Sequence, residues 1–232
     1  MSVTIASYNI HKAVGSDGRR NPERILDVLD EMAADVAVLQ EADTRLGLRT
    51  SVLPAPMLAA RGWTAAPLAE NSAALGWHGN AILVRGAARL VRARRLMLPV
   101  LEPRGAVLAD LALPDGRPLR LVGAHLDLSG LWRAQQVRRI MERMARAPGN
   151  PPELVMGDLN EWRAQGASLA ALAARLREVP LGPSFPARLP LGRLDRVFAH
   201  PALGLAGAGV HASALARAAS DHLPVWVTLA HD

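Results

Sequence analysis

The sequence predicts a layered α/β protein. Short apolar runs of strand length recur along the whole chain, and a few segments with helical periodicity lie between them. Strands and amphipathic helices bury their apolar faces by packing in layers. This pattern is compatible both with a parallel sheet and with a sandwich of sheets. Because no internal repeat or long linker interrupts it, we expect a single domain over residues 1–232.

Eight apolar runs are predicted to be strands, because each has strand length and ends in polar or turn-forming residues. They cover residues 3–10, 35–40, 81–84, 107–113, 119–124, 154–156, 196–199 and 225–229. The second run ends directly before Glu41, so a buried strand brings a carboxylate to its end.

Three segments are predicted to be helices. Asn21 followed by Pro22 has the pattern of a helix N-cap with proline at the first helical position. Apolar side chains follow at helical spacing, namely Ile25, Leu26, Leu29 and Met32. Residues 132–147 form the second segment, whose apolar stripe comprises Val137, Ile140, Met141 and Met144. The third is the alanine-rich segment 165–177.

Composition restricts the function classes. The formal net charge is +6 and half of the residues are apolar, but Lys12 is the only lysine among 27 basic residues. We interpret this arginine excess as a coding bias, with binding of nucleic-acid phosphates as the alternative. The absence of cysteine excludes disulfides and Cys-based metal sites. The chain begins without a signal-peptide pattern and has no apolar run of membrane-spanning length, so we expect a cytoplasmic protein without a transmembrane segment.

Seven short polar motifs lie beside the predicted strands. A carboxylate or amide next to a buried strand costs free energy unless it is paired or binds a metal. A set spread over the whole chain therefore indicates strand ends that converge on one polar site. The motifs are Tyr8-Asn9-Ile10, Leu39-Gln40-Glu41, Gly79-Asn80-Ala81, Ala124-His125-Leu126-Asp127, Gly157-Asp158-Leu159-Asn160, Leu194-Asp195-Arg196 and Ser220-Asp221-His222.

In this order the motifs resemble those of the endonuclease/exonuclease/phosphatase superfamily, the DNase I-like phosphoesterases, and of its small bacterial members. The resemblance runs from about Thr4 to Ala230. It implies an α/β (α+β) fold, a four-layer α-β-β-α sandwich of two mainly antiparallel sheets. The active site is then expected at one end of the sandwich.

The resemblance implies a metal site made by Glu41, with Asn9 and Asp221 as accompanying ligands. Mg²⁺ prefers oxygen ligands and is often bound by only one or two carboxylates together with water. We therefore expect Mg²⁺ as the cofactor, with Mn²⁺ as the alternative.

The same resemblance implies five catalytic residues. Asp158 would orient or deprotonate the attacking water, and Asn160, two residues on, would face the same site. His222 would donate a hydrogen bond to the phosphate, with Asp195 keeping its imidazole cationic. His125 would be a second histidine that contacts the phosphate. Exonuclease III-type enzymes tend to have tyrosine at this last position, which argues against an abasic-site endonuclease.

Three further residues are predicted to contact substrate. Asn80 occupies the position at which DNase I-type enzymes tend to place an acid, Arg133 opens the long helix, and Trp162 follows the Asp158 motif. For Arg133 a solvated position in the first turn is the alternative, and for Trp162 the protein core. For Phe185 we favour packing in the core, with packing on the substrate as the alternative. Two arginines after Glu41, Arg45 and Arg49, are explained equally by a second phosphate and by loop solvation.

The expected function is that of a metal-dependent phosphoric ester hydrolase. It would hydrolyse a phosphodiester or phosphomonoester by in-line attack of a water activated by Asp158. The expected partner is a phosphate-ester substrate, and we favour a small or membrane-derived one. We expect the protein to be a monomer. The alternatives are an endonuclease or exonuclease acting on DNA or RNA, and a non-catalytic scaffold. Nucleophile-elbow, zinc-helix, Walker and Rossmann motifs are absent from the sequence.

Overall fold

The chain folds into two six-stranded sheets in the computed structural model, which describes residues 2–86, 88–99 and 104–230. The strands are β1 Val3–Asn9, β2 Val36–Gln40, β3 Thr64–Ala65, β4 Ala81–Val84, β5 Arg89–Leu96, β6 Gly105–Ala112, β7 Pro118–His125, β8 Glu153–Asp158, β9 Arg177–Glu178, β10 Asp195–Ala199, β11 Leu205–Val210 and β12 Val225–Leu229. All eight predicted strands are confirmed, with ends that shift by one or two residues.

Five α-helices connect strands within the described residues. They are α1 Pro22–Glu31, α2 Ala55–Ala60, α3 Gly130–Ala145, α4 Ala167–Ala173 and α5 Ala214–Ala219. As predicted, the Asn21 side chain caps α1 by accepting a hydrogen bond from the Arg24 backbone N–H. No helix in the described part of the chain is long and apolar enough to cross a membrane.

Each sheet is mainly antiparallel, as the resemblance of the polar motifs to those of the superfamily implied. The first sheet has the order β11-β12-β1-β2-β4-β3, and the second β5-β6-β7-β8-β10-β9. One neighbouring pair in each sheet is parallel, β1 with β2 and β7 with β8. All other neighbours are antiparallel.

Three apolar layers hold four layers of secondary structure together. One lies between the sheets and two lie between a sheet and its outer helices, α1 and α5 on one side and α3 and α4 on the other. Representative side chains are Ile5, Val38 and Met156 in the central layer, Ile25, Leu29 and Leu39 in the first outer layer, and Val122, Ile140 and Phe198 in the second. The α-β-β-α sandwich is therefore confirmed.

The secondary structure differs from the prediction in two ways: the third predicted helix is shorter, and the strands β3, β5, β9 and β11 and the helices α2 and α5 were not predicted. The third helix is shorter than segment 165–177, because α4 ends at Ala173 and the chain then pairs as β9. The sequence of β11 contains no apolar run from which a strand could be predicted. Its Gly207 and Gly209 leave room for the ring of Trp226 on the neighbouring strand, so tertiary packing decides this strand.

Strand direction brings the seven polar motifs to one end of the sandwich. The carboxyl ends of β1, β2, β7 and β8 carry four motifs, and the parallel pairs place these ends side by side. The strands β4, β10 and β12 run antiparallel to their neighbours, so their amino ends, with the other three motifs, lie there too. A hydrogen bond from Asn9 to Asp158 joins the two sheets at this end.

Gly157 permits the close approach of β7 and β8 next to the polar cluster. It has φ of 148°, a conformation essentially restricted to glycine, and a Cβ at this position would collide with the backbone carbonyl of Ala124. We expect Gly157→Ala to lower the free energy of unfolding by about 3 kcal/mol or more. Chemical denaturation measures this loss.

Gly116 is the matched control, because its φ is 83° but a Cβ there would meet no atom within 4 Å. Gly116→Ala should cost only the conformational penalty, about 1 kcal/mol. Equal losses in the two variants would show that the contact with Ala124 is unimportant.

Candidate active site

Asp158, at the end of β8, is the centre of a buried hydrogen-bonded cluster. Its Oδ2 accepts a hydrogen bond of 2.9 Å from Asn9 Nδ2. The same oxygen lies 3.3 Å from His125 Nε2 and 3.7 Å from His222 Nε2. Its Oδ1 accepts a hydrogen bond of 3.0 Å from the backbone N–H of Asn160. Five predicted catalytic or metal-site residues are thus in one contact network.

Burial by itself raises the pKa of Asp158, but the hydrogen bond and charge of His125, the charge of His222 and the hydrogen bond from Asn9 outweigh it. They hold the pKa of this carboxyl well below its usual range, so the side chain is ionised at neutral pH. A carboxylate of such low basicity is a poor proton acceptor. It is better suited to orient a water molecule by accepting its hydrogen bond.

His222 is held by a second buried carboxylate. Its Nδ1 lies 2.8 Å from Asp195 Oδ2, and the same oxygen accepts a hydrogen bond of 2.5 Å from Ser184 Oγ. Burial by itself lowers the pKa of His222, but the charge and hydrogen bond of Asp195, followed by the charges of Asp158 and Asp221, raise it to about 10. The imidazole is therefore a cation at neutral pH and can donate from Nε2.

Glu41 lies directly after β2 in a strained turn. Its φ is 55° and that of Lys12 is 57°, both in the left-handed region that non-glycine residues rarely adopt. The backbone N–H of Lys12 donates to the carbonyl of Glu41, and the ammonium group of Lys12 contacts Glu41 Oε2. Burial by itself raises the pKa of Glu41, but the charges of His125, Lys12 and Arg104 lower it overall.

The predicted metal ligands all lie at this end of the sandwich: Asn9 ends β1, Glu41 directly follows β2, and Asp221 lies in the loop before β12. Asp221 is half-exposed, and its Oδ1 lies 3.7 Å from His11 Nδ1. Within residues 2–86, 88–99 and 104–230, no three His, Cys, Asp or Glu side chains group closely enough to hold a metal by themselves. The donors fit Mg²⁺, which needs only one or two carboxylates with water, and Glu41 already attracts a cation in Lys12.

Asn160 adopts φ of 50° and donates a hydrogen bond of 2.9 Å from Nδ2 to the carbonyl of Leu126. This bond and the one from its backbone N–H to Asp158 fix the side chain next to the cluster. Backbone conformations of this kind persist where the surroundings impose them, and they concentrate at functional sites.

Trp162 and Phe185 form an aromatic wall beside His222. The Phe185 ring lies 4.7 Å from the His222 ring and 6.1 Å from that of Trp162. Trp162 is 63% exposed, so the core alternative for this residue is wrong. Core packing of Phe185 is also wrong, because the ring is only partly buried and lies against the site.

Arg133 is not a solvated residue, and it lines a cavity together with Glu161 and Trp162. It is buried, its Nη2 lies 3.2 Å from Glu161 Oε1, and its Nη1 donates to the carbonyls of Asp127 and Leu128. The solvated alternative is therefore wrong, and contact of Arg133 with a substrate stays a prediction. The partner, Glu161, is 28 residues away in the sequence, so local periodicity could not reveal it.

Asn80 lies in the turn that precedes β4. It is fully buried, and its Nδ2 donates to the carbonyls of Trp77 and His78. The residue closes the turn that leads into β4. Its Oδ1 has no hydrogen-bond partner among the described residues, and contact of Asn80 with a substrate stays a prediction.

Sequence reasoning missed Lys12, Arg104 and Ser184. Arg104 contacts the ring nitrogens of His125, and Ser184 supports Asp195. For Lys12 a signal was present, because it is the only lysine in a chain that otherwise uses arginine. Arg104 gave no such signal, since it is one of many arginines and no motif surrounds it.

A two-sheet sandwich with buried carboxylates and histidines at one end is the architecture of the DNase I-like phosphoesterases. The chain belongs to the Endonuclease/Exonuclease/phosphatase family, whose sequence pattern matches residues 6–222. Proteins of this family and fold are hydrolytic enzymes, phosphatases and nucleases among them.

The similarity to relatives and solved structures extends over nearly the whole chain. YbhP of Escherichia coli K12 is 28% identical over 241 residues, covering 97% of this chain and 94% of that protein. A family member from Bacteroides vulgatus has a TM-score of 0.79 at 16% identity, covering 100% of both chains. The mannosyl-6-phosphatase Bt3783 of Bacteroides thetaiotaomicron has a TM-score of 0.76 at 20% identity, covering 99% of this chain and 100% of that one.

A fourth similar protein has a nucleic-acid ligand. The TDP2 of D. rerio, in complex with a single-strand DNA product, has a TM-score of 0.74 at 18% identity, and 99% of each chain is covered. At these identities the similarity to solved structures establishes the fold alone.

Proposed function

We propose that this protein is a divalent-metal-dependent hydrolase of phosphate monoesters or diesters. The observation that carries the proposal is the cluster around Asp158. In this cluster Asn9 from one sheet and His125 from the other contact the same buried carboxylate. Buried charges destabilise a fold unless they are fully paired. A scaffold would gain nothing from this cluster, whereas phosphate hydrolysis uses each of its members.

In the proposed reaction Asp158 accepts a hydrogen bond from the attacking water and aligns it with the phosphorus. His222, cationic because of Asp195, donates a hydrogen bond from Nε2 to a phosphate oxygen. His125 and Asn160 provide further polar contacts to the same group. Donors that are fixed before the reaction stabilise the charge that develops in the transition state.

Asn9, Glu41 and Asp221 would hold the metal ion. Such an ion, when bound, neutralises charge on the phosphate oxygens. The contact between Lys12 and Glu41 supports this assignment, because it shows that the Glu41 carboxylate is disposed to face a cation. Lys12 would then either neighbour the ion or move towards the substrate.

A small or membrane-derived phosphate ester is the favoured substrate. Only 3% of the residues are aromatic, and stacking on successive aromatic rings is the usual means of binding single strands. At the site the exposed ring of Trp162 offers one such surface.

A metal-dependent activity panel tests the proposal. It compares bis-p-nitrophenyl phosphate, inositol phosphates, phospholipids, short RNA and plasmid DNA, each with Mg²⁺, with Mn²⁺ and with EDTA. We expect at least one substrate to be hydrolysed with Mg²⁺ or Mn²⁺, and the turnover to disappear in EDTA, since the metal supplies charge that no side chain replaces.

The His222→Ala variant, purified in parallel, controls for contaminating hydrolases. Activity that persists unchanged in EDTA would refute metal dependence. Hydrolysis of plasmid DNA alone, with no small ester turned over, would refute the substrate preference and identify a nuclease.

A further inference from the structure

We propose that the cavity next to Glu41 contains a second anion-binding subsite, made by Arg49, Arg45 and His78. The substrate would then carry a further phosphate or carboxylate group besides the ester that is hydrolysed. The conclusion about the substrate rests on the proposed function. Binding of an anion at the subsite can be tested without turnover.

The cavity is rich in cations. Its charged and histidine side chains are Lys12, Arg45, Arg49, Arg104, His78 and His125, with Glu41 and Asp43 as the carboxylates. Asp43 is buried, and its oxygens accept hydrogen bonds of 2.7 Å from the Leu75 N–H and 3.1 Å from the Gly76 N–H. Its charge is therefore engaged in holding the loop, and positive charge predominates in the cavity.

The cations divide into two groups by their contacts. Lys12 contacts Glu41 and Arg104 contacts His125, so both belong to the hydrolytic cluster. Arg45 and Arg49 come from the loop that follows β2, and the reaction proposed above gives them no task. They extend the positive lining beyond the group that would bind the reacting phosphate.

Arg49 and His78 are held in a fixed arrangement. Arg49 Nη1 lies 2.9 Å from Glu70 Oε2 and also contacts His78 Nδ1. Burial and then the charge of Arg49 lower the pKa of His78, so the ring is neutral. Because Arg49 donates to Nδ1, the ring proton must lie on Nε2. The pair thus combines a guanidinium with a neutral N–H donor, a combination that suits an oxyanion.

Backbone strain is concentrated in this cavity. Among the described residues, eight non-glycine residues have positive φ, and four of these line the cavity: Lys12, Glu41, Arg49 and His78. Arg49 has φ of 47° and His78 of 50°. Conformations of this kind cost free energy and cluster at ligand-binding sites. Loop solvation would not explain why two residues outside the hydrolytic cluster share this strain.

The test compares binding of inorganic pyrophosphate with that of inorganic phosphate by calorimetry, in EDTA so that no metal contributes. We expect wild-type protein to bind pyrophosphate about tenfold more tightly, since the second phosphate adds charge-assisted hydrogen bonds. Arg49→Gln and Arg45→Gln should each lower the pyrophosphate affinity by about tenfold and change the phosphate affinity less than about twofold. Two variants are used because Arg49 also pairs with Glu70, and thermal unfolding checks that each is folded.

Arg89→Gln is the matched control, because Arg89 is an exposed arginine at the start of β5 and does not line the cavity. It should bind pyrophosphate like the wild type. Equal wild-type affinities for the two anions, or unchanged pyrophosphate binding in both variants, would overturn the subsite.

The outcome also separates this inference from the proposed function. If Arg49-dependent pyrophosphate binding is found but the activity panel shows no hydrolysis, the function fails and the anion site stands. If hydrolysis is found but neither variant alters pyrophosphate binding, the subsite fails and the function stands. Where both hold, removal of the second anion from a substrate should raise KM in the wild type and have little effect in Arg49→Gln.

Discussion

Replacement of His222 by alanine is expected to lower kcat by about 10³-fold, because it removes a cationic donor from the reacting phosphate. Asp195→Asn should lower kcat by about 10²-fold at about pH 8 through the same histidine. Without the Asp195 charge the pKa of His222 should fall, because burial opposes the cationic ring and only Asp158 and Asp221 still raise the pKa, so we expect a smaller cationic fraction at this pH. Steady-state kinetics on any substrate found by the panel measures both effects.

The pH dependence distinguishes the two variants. With a His222 pKa of about 10, wild-type activity should not decline through loss of this proton until the pH approaches that value. Asp195→Asn should regain activity as the pH is lowered, whereas His222→Ala should not. Identical pH profiles for the wild type and Asp195→Asn would contradict the pairing.

The same pair links stability to pH. The folded pKa of His222 lies above its unfolded value of about 6.5. Protonation therefore stabilises the fold fully below about pH 6.5, and this contribution is lost as the pH rises through about 10. The Asp195→Asn variant should lack this part of the pH dependence.

Glu41→Gln is expected to have the second large effect. Removal of this carboxylate should raise the Mg²⁺ concentration for half-maximal activity by at least about tenfold and lower kcat by about 10²-fold, because an amide binds a divalent cation more weakly. It also leaves Lys12 without its ion-pair partner. Mn²⁺ titration by calorimetry measures the affinity independently of turnover.

Glu142→Gln serves as the control for Glu41→Gln. Glu142 pairs with Arg139 on the surface of α3 and lies away from the polar end of the sandwich. This variant should keep wild-type metal dependence. A Glu41→Gln enzyme with unchanged Mg²⁺ dependence would show that the metal is held elsewhere, and the ligand assignment would have to be abandoned.

Much of the polar cluster was predictable, because a polar residue at the end of a buried strand costs free energy unless it is paired or bound to a ligand. Asn9, Asp158 and His222 follow or precede apolar runs, and their burial in the structure agrees with this reasoning. Arg133 shows the limit of such reasoning. Its position at the start of the helix predicted contact with solvent or with a phosphate. In the structure its guanidinium pairs with Glu161, which belongs to a separate segment of the chain.

The aromatic wall and the cation-rich cavity were only partly predictable, for a related reason. Phe185 resembled a core residue, because its sequence surroundings are apolar and prolyl. It reaches His222 only because the loop before β10 folds over the site. His78 had no motif of its own, and it acquires a defined tautomer from Arg49, which lies 29 residues earlier.

The sequence by itself determined the strands with apolar runs, the capped first helix and the ordered set of polar strand ends. Periodicity and capping are local, so they can be read without knowledge of the fold. Only the tertiary structure decided which polar ends meet. Asp158 lies in register with His125 and Asp195 on the neighbouring strands and takes Asn9 from the other sheet, 149 residues away. Such contacts depend on strand pairing and sheet packing between distant segments, which local patterns do not encode.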